Sequence, residues 1–174
     1  GNHDSPDRLM ASNPVVHQAG ISTLGYPRTT PSQFEGSGSG FACIESAPSF
    51  ARYRLASSEV LSLIALPYPS ESRLRELLAE WVDDDTQRQA NYITLLRQFM
   101  EETSQRFEPG GANIVVSHLF VVGGGESGVE RPIQVGGAYS VPVDAFPANA
   151  SYVALGHLHR PQEFQGKGDG VIRY

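Results

Sequence analysis

Three short motifs in the chain carry side chains that could hold metal ions. They are Gly1-Asn2-His3-Asp4, Ser117-His118 and Gly156-His157-Leu158-His159. Imidazole nitrogens and amide oxygens are ligands of divalent cations, and the second and third motifs each follow an apolar run typical of a buried strand. Side chains at the ends of neighbouring strands can converge on one point. The motifs therefore predict a two-metal centre, in which cations about 3.5–4 Å apart clamp a phosphate and generate hydroxide from water at neutral pH.

Each motif also has a simpler explanation. Residues 1–4 offer an amide oxygen, a proton on His3 and an Asp4 carboxylate that can orient the imidazole, but the same four residues also suit a polar turn. His157 and His159 can reach two neighbouring metals after a glycine turn, or they can lie in a solvated loop. His118 on its own is typical of a structural hydrogen-bonding histidine. Three such strand ends in one chain favour the metal site.

Composition limits the class of protein. The chain has 174 residues, 40% of them hydrophobic, which fits one domain. Its net charge of −6 includes no long run of like charge, so a basic stripe for duplex DNA is excluded, although metal ions could supply positive charge locally. The single Cys43 excludes an internal disulfide and indicates a reducing compartment, the cytoplasm. No apolar run reaches the roughly 18 residues of a membrane helix, so no membrane partner is expected.

Strands and helices alternate along the chain. A hairpin is predicted from residues 41–46 and 50–55, after a glycine-serine connector at 36–40, and residues 60–66 predict a strand buried on both faces. Apolar positions at helical spacing predict one helix over 73–82 and a longer one through Tyr92 to Met100. Further predictions are buried strands at 114–116 and 152–155, a hairpin over 133–143, and a turn at 168–170 joining strands 163–165 and 171–173. The sum is an α/β fold with a sheet-rich core.

The order of the motifs and their residue sequences resemble those of a known family. The sequence is similar to the calcineurin-like metallophosphoesterases and, within them, to the SbcD family of bacterial exonuclease subunits. The matching segments are Gly1 through Leu9, Ala65-Leu66-Pro67-Tyr68, Ser117 through Gly124, Ser127 through Arg131, and Tyr152 through Gln162. The resemblance implies the metallophosphoesterase β-sandwich flanked by helices, of which residues 1–174 would be the later half.

The resemblance also implies roles for individual residues. Asn2, His118 and His157 would bind one metal and His159 the other. His3, held by Asp4, would stabilise the transition state or protonate the departing oxygen. Two divalent ions, with manganese as the expected metal, would form the cofactor. Three arginines near the motifs could contact substrate phosphate, although each also suits a surface or salt-bridging position: they are Arg8, Arg131 and Arg160.

Two features of the family are missing from this sequence. The Asp-x-His and Gly-Asp-x-x-Asp motifs that precede Gly-Asn-His-Asp are absent, as is the region that contacts a coiled-coil ATPase. The chain is therefore expected to be a partial nuclease domain that is inactive alone.

The resulting hypothesis is a metal-dependent DNA exonuclease and endonuclease subunit. In its complete form it would hydrolyse phosphodiester bonds at DNA ends, as a homodimer working with an SbcC-like SMC-type ATPase in DNA repair, recombination and replication. Two alternatives remain open. One is a related phosphodiesterase or phosphatase acting on a small nucleotide or a phosphoprotein, and the other is a non-catalytic scaffold.

Overall fold

The computed structural model of the protein describes residues 1–33, 40–75, 85–128 and 140–174. These residues form one mixed seven-stranded sheet with helices, which confirms the α/β class. The helices are α1 (Pro6–Met10), α2 (Asn13–Val16), α3 (Glu71–Arg75) and α4 (Asp85–Ser104), with short 3-10 helices at His17–Ala19 and Val143–Ala145. The strands are β1 (Phe41–Ala47), β2 (Phe50–Leu55), β3 (Val60–Leu66), β4 (Ala112–His118), β5 (Tyr152–Gly156), β6 (Glu163–Gln165) and β7 (Val171–Arg173).

Parallel pairing occupies the middle of the sheet. The strand order is β1-β2-β3-β4-β5-β7-β6, in which β3, β4, β5 and β7 pair in parallel. The hairpins β1-β2 and β6-β7 are antiparallel and form the two edges. Parallel neighbours need long crossover connections, and the connection from β3 to β4 contains α3 and α4. The carboxyl ends of three adjacent strands, β3, β4 and β5, consequently meet at one edge.

One row of apolar side chains crosses the sheet and forms its core. Registered pairs connect Phe50 to Ile64, Ile64 to Val115, Val115 to Val153 and Val153 to Ile172. All five side chains are buried in the same cluster as four residues of α4: Tyr92, Leu96, Phe99 and Met100. Burying each such large apolar side chain contributes about 1.5–3 kcal/mol. The helix thus fixes the strands from which the histidine motifs project.

The prediction that the central strands are buried on both faces is wrong. Burial alternates along β3, where Ser62 and Ile64 are buried while Leu61 and Leu63 are only half-buried. In β4 the side chain of Val116 is 42% exposed. Helix α4 covers one face of the sheet, and a strand with one covered face buries every second residue. The described residues therefore form one layer of the predicted sandwich.

Most other predicted elements are confirmed where the structure describes them. The two hairpins, the strands leading to His118 and to Gly156, and the long helix all form. The helix predicted over 73–82 is described only to Arg75, and the remainder lies outside the described residues, as do 36–39 of the glycine-serine connector. The hairpin over 133–143 falls outside them up to 139. Its last residue, Val143, belongs to a 3-10 helix, and Val141 forms a parallel bridge with Val121.

Helices α1 and α2 were not predicted. Both are short, and neither contains a buried residue, so they lack the apolar periodicity by which a helix is recognised in sequence. A proline at the start of each fixes its first turn. Among the described residues, none of the helices combines the length and apolar character needed to cross a membrane.

Candidate metal centre

The histidine motifs lie at the carboxyl edge of the parallel strands. His118 ends β4 and pairs in register with Gly156, the last residue of β5, while Ser117 pairs with Leu66 at the end of β3. His118 and His157 are therefore delivered by adjacent strands to the same edge. In open α/β sheets this edge is the usual position of a functional site.

Asn2 contacts His118, which is far from it in the sequence. The Nε2 atom of His118 lies 2.9 Å from Oδ1 of Asn2, although 116 positions separate the two residues. With the proton on Nε2, the imidazole donates this hydrogen bond to the amide oxygen. The contact brings the first motif to the strand-end histidines.

The ring of His118 is confined on several sides. It meets the ring of His157 edge to face at 5.4 Å between centroids and the ring of Tyr68 at 5.9 Å. A Cβ atom on Gly1 would lie 2.7 Å from the ring, and one on Gly156 would lie 2.8 Å from Nδ1. Both distances are too short for a real side chain, so the two glycines make the space that the imidazole occupies.

His157 is buried in an unusual backbone conformation. It is 7% exposed, and its φ angle is +111°. A non-glycine residue in this region carries backbone strain, of the kind that is concentrated at functional sites. The expected glycine turn before the histidine pair therefore needs correction. The positive φ belongs to His157 itself, and Gly156 instead provides space for His118.

Burial keeps His118 neutral at ordinary pH. The loss of hydration is the main cause and, with His157 acting in the same direction, lowers the pKa of the imidazole to about 4. A neutral imidazole is the form that binds a metal ion. The environment of His118 thus suits a ligand more than an acid-base catalyst.

The same shift predicts how stability changes with pH. Below about 6.5 the imidazole of the unfolded chain takes up a proton, whereas His118 in the folded chain does so only near 4. The free energy of unfolding should therefore fall as the pH is lowered from about 6.5 towards 4. Urea titrations across this pH range should show that the free energy of unfolding falls less in His118→Gln than in the unaltered chain. His17→Gln, at an exposed histidine, is the control and should lose as much unfolding free energy as the unaltered chain. An equal dependence of unfolding free energy on pH in the two variants would contradict the assignment of the effect to His118.

The remaining predicted site residues are exposed. His3, Asp4 and His159 all lie at the surface. The orientation of His3 by Asp4 stays a prediction. Arg8 and Arg160 are exposed, and Arg131 lies outside the described residues.

The donors brought together fit part of a metal shell. Two ligand atoms each about 2.1 Å from a divalent ion, at right angles, lie about 3.0 Å apart, and the oxygen of Asn2 and the nitrogen of His118 are separated by 2.9 Å. His157 packs against the same imidazole. However, within the described ranges no group of three or more His, Cys, Asp or Glu side chains is arranged to hold a metal. The structure thus brings Asn2, His118 and His157 together. Their role as ligands of one ion stays a prediction.

Two residues near the site were given no role in the sequence analysis. Tyr68, just beyond β3, packs edge to face on His118, and Arg73 donates a hydrogen bond to the Tyr68 carbonyl at 3.0 Å. The guanidinium of Arg73 also lies 5.7 Å from the Tyr68 ring and 5.8 Å from the Tyr26 ring. These contacts place a cation beside the first motif. The apolar run that ends before Pro67-Tyr68 was the available signal, because it marks a third strand end at the same edge.

Comparison with known proteins gives a consistent result. The chain is 44% identical over 162 residues to the SbcD subunit of the nuclease SbcCD from Bacillus subtilis, and the match covers 93% of this chain and 37% of that protein. It is 33% identical over 178 residues to the protein of the same name from Rhodobacter capsulatus, where the match covers the whole chain and 40% of that protein. No protein-family model matches. The chain thus spans about two-fifths of the length of these relatives.

Proposed function

We propose that this chain, which is close in sequence to the SbcD subunits of bacterial nucleases, forms part of a metal-dependent nuclease that hydrolyses phosphodiester bonds at DNA ends. The observation that carries the proposal is the meeting of Asn2, His118 and His157 at one edge of the sheet. Two of these residues come from adjacent strand ends and one from the other end of the sequence. That combination is typical of a ligand site and is not needed for packing alone.

The proposed roles of the residues are those that the resemblance to the SbcD family implies. Asn2, His118 and His157 would hold one ion, and His159, two residues beyond the buried His157, would reach the other. When bound, two divalent ions, with Mn²⁺ as the proposed metal, would polarise the scissile phosphate and supply hydroxide at neutral pH. His3, exposed beside Asn2, is free of the strand-end packing and would give a proton to the departing oxygen. Asp4 would hold its imidazole in one orientation.

The wider assembly is proposed from the likeness to SbcD. DNA would be the substrate, an SbcC-like SMC-type ATPase the partner, and a homodimer the working form, in repair and recombination. Manganese dependence is part of the same proposal. Cys43 is buried and is the single cysteine of the chain, so it forms no internal disulfide, which supports a cytoplasmic location where thiols stay reduced.

The isolated chain should bind at most one Mn²⁺ ion, weakly, and should not cleave DNA. Three neutral ligands without a carboxylate give little charge compensation to a divalent cation. Calorimetric titration with manganese, together with an assay on labelled duplex DNA, would measure both properties. His157→Ala should remove the residual binding, whereas His17→Ala should leave it unchanged. Tight binding of two ions would contradict the prediction and would indicate that carboxylates such as Asp83 to Asp85 or Asp169 complete the site.

Substrate choice tests the proposed function against its two alternatives. The full-length protein with manganese should shorten labelled duplex DNA from its ends. Cleavage of a small phosphodiester or a phosphopeptide, with duplex DNA untouched, would instead indicate a related phosphoesterase. Failure to cleave any of the three, with metal bound, would favour a scaffold.

A further inference from the structure

The loops that follow β4 and β5 are joined by the side chain of Gln162. Its Oε1 accepts a hydrogen bond from the Gly125 amide at 2.7 Å, and its Nε2 donates one to the Gly125 carbonyl at 2.7 Å. One side-chain amide thus pairs with both backbone groups of a single residue, as a neighbouring strand would. The loop after His118 and the loop after His157 are held together by this pair of bonds.

A second contact joins the same two loops. The buried Leu158 side chain lies against Gly124, where an added Cβ would come within 2.5 Å of Leu158 Cδ1. The Gly124 amide donates to the Val121 carbonyl at 3.0 Å, which closes a tight turn. Leu158 therefore contacts Gly124, and Gln162 is hydrogen-bonded to Gly125. The three residues between them, 159–161, are exposed, and we call this segment the bracket.

The bracket carries a cation beside the glycine loop. Arg160 is exposed, and its Nη1 atom lies 4.0 Å from where a Cβ on Gly125 would be. It forms no ion pair with any of the residues described in the structure. In a chain of net charge −6, an exposed arginine next to the proposed metal ligands is suited to an anion. A guanidinium binds phosphate oxygens through charge-assisted hydrogen bonds.

We propose that Arg160 contacts a backbone phosphate of the DNA substrate and that Gln162 is the positioning residue that holds Arg160 in place. The proposal rests on the nuclease function proposed above. It accounts for the Pro161-Gln162 extension after the histidine pair, which metal binding alone does not require. Pro161 limits the backbone between the cation and its anchor, and Gln162 fixes that backbone to the neighbouring loop.

DNA binding by the full-length protein tests the two roles. Binding of a labelled duplex would be measured with Ca²⁺ in place of Mn²⁺, over a fourfold range of salt. Arg160→Gln should weaken binding by about three- to tenfold at low salt and should lower the slope of log K against log salt by about 0.9, the value for one phosphate contact. Gln162→Met removes both hydrogen bonds at similar size and should produce a loss in the same direction.

The double variant separates positioning from general damage. If Gln162 acts through Arg160, Arg160→Gln with Gln162→Met should bind no more weakly than Arg160→Gln alone, because the second change has nothing left to position. Gln165→Met is the matched control, since Gln165 donates to the Gly168 carbonyl at 3.2 Å in the β6-β7 hairpin. It should leave both affinity and salt slope unchanged. Thermal unfolding would show which variants remain folded.

The possible outcomes distinguish failure of this proposal from failure of the proposed nuclease function. Additive losses in the double variant, or an unchanged salt slope in Arg160→Gln, would overturn the proposal while leaving the nuclease function intact. Absence of DNA binding in the unaltered protein would overturn the nuclease function itself. Loss of folding in Gln162→Met would leave the salt slope of Arg160→Gln to decide the phosphate contact, and Gln162→Asn to decide the positioning. That variant stays uncharged, is one methylene too short to pair with both backbone groups of Gly125, and should still weaken binding through Arg160.

Discussion

Replacing His3 by alanine in the full-length protein should lower the turnover number for DNA cleavage by about 10²–10⁴-fold, the range for a positioned acid-base group. His3 is exposed and lies outside the contact between Asn2 and His118, so its loss should leave the ligands in place. Metal content, measured by atomic absorption after dialysis, should therefore stay close to that of the unaltered protein. The defect should appear in turnover and leave the affinity for DNA little changed.

Replacing His157 by alanine should have the opposite effect on metal content. His157→Ala removes a buried imidazole that packs against both His118 and Phe120, so metal should be lost together with activity. His17→Ala, at an exposed histidine outside the three motifs, is the control for both variants and should change neither quantity. Equal metal loss in the His3 and His157 variants would show that the two roles have been assigned wrongly.

The position of His118 and His157 at strand ends could be predicted because it is determined by the residues directly before them. Apolar runs before His118 and before Gly156 indicate buried strands, and strands of the same sheet place their ends together. The long helix α4 could be predicted for the same reason, from apolar residues at helical spacing. The contact between Asn2 and His118 could not be derived in this way, since it joins residues 116 positions apart.

Other parts of the site depend on close approaches that residue type does not reveal. Gly156 was interpreted as a turn glycine, but its importance lies in the imidazole that fills the space beside it. Gln162 gave no chemical signal, because its partners are the backbone atoms of Gly125. The burial of the strands was overestimated, since an apolar run does not show how many faces of a sheet are covered. Periodicity and motif thus identify the elements and the donors, whereas tertiary contacts decide the arrangement.

A single added carbon atom at Gly156 should have a large effect on the candidate metal centre. In Gly156→Ala the new methyl group would lie 2.8 Å from Nδ1 of His118. The ring cannot simply retreat, because Gly1 leaves no room for even a Cβ atom beside it and the rings of Tyr68 and His157 flank it. Overpacking of this kind costs about 1–3 kcal/mol. If the ring moves to relieve it, the 2.9 Å contact between His118 and Asn2 is lost.

Metal affinity of the full-length protein should accordingly fall by about 5- to 150-fold, the equivalent of that energy. Gly125→Ala is the matched control at the same edge of the sheet. A Cβ there would meet its nearest neighbours at 3.8 Å or more, an ordinary contact, and would keep the backbone groups that pair with Gln162. Calorimetric titration of both variants with Mn²⁺ would compare them directly. Unchanged affinity in Gly156→Ala would mean that the position of His118 does not control metal binding, and His118 would then have to be removed from the ligand set.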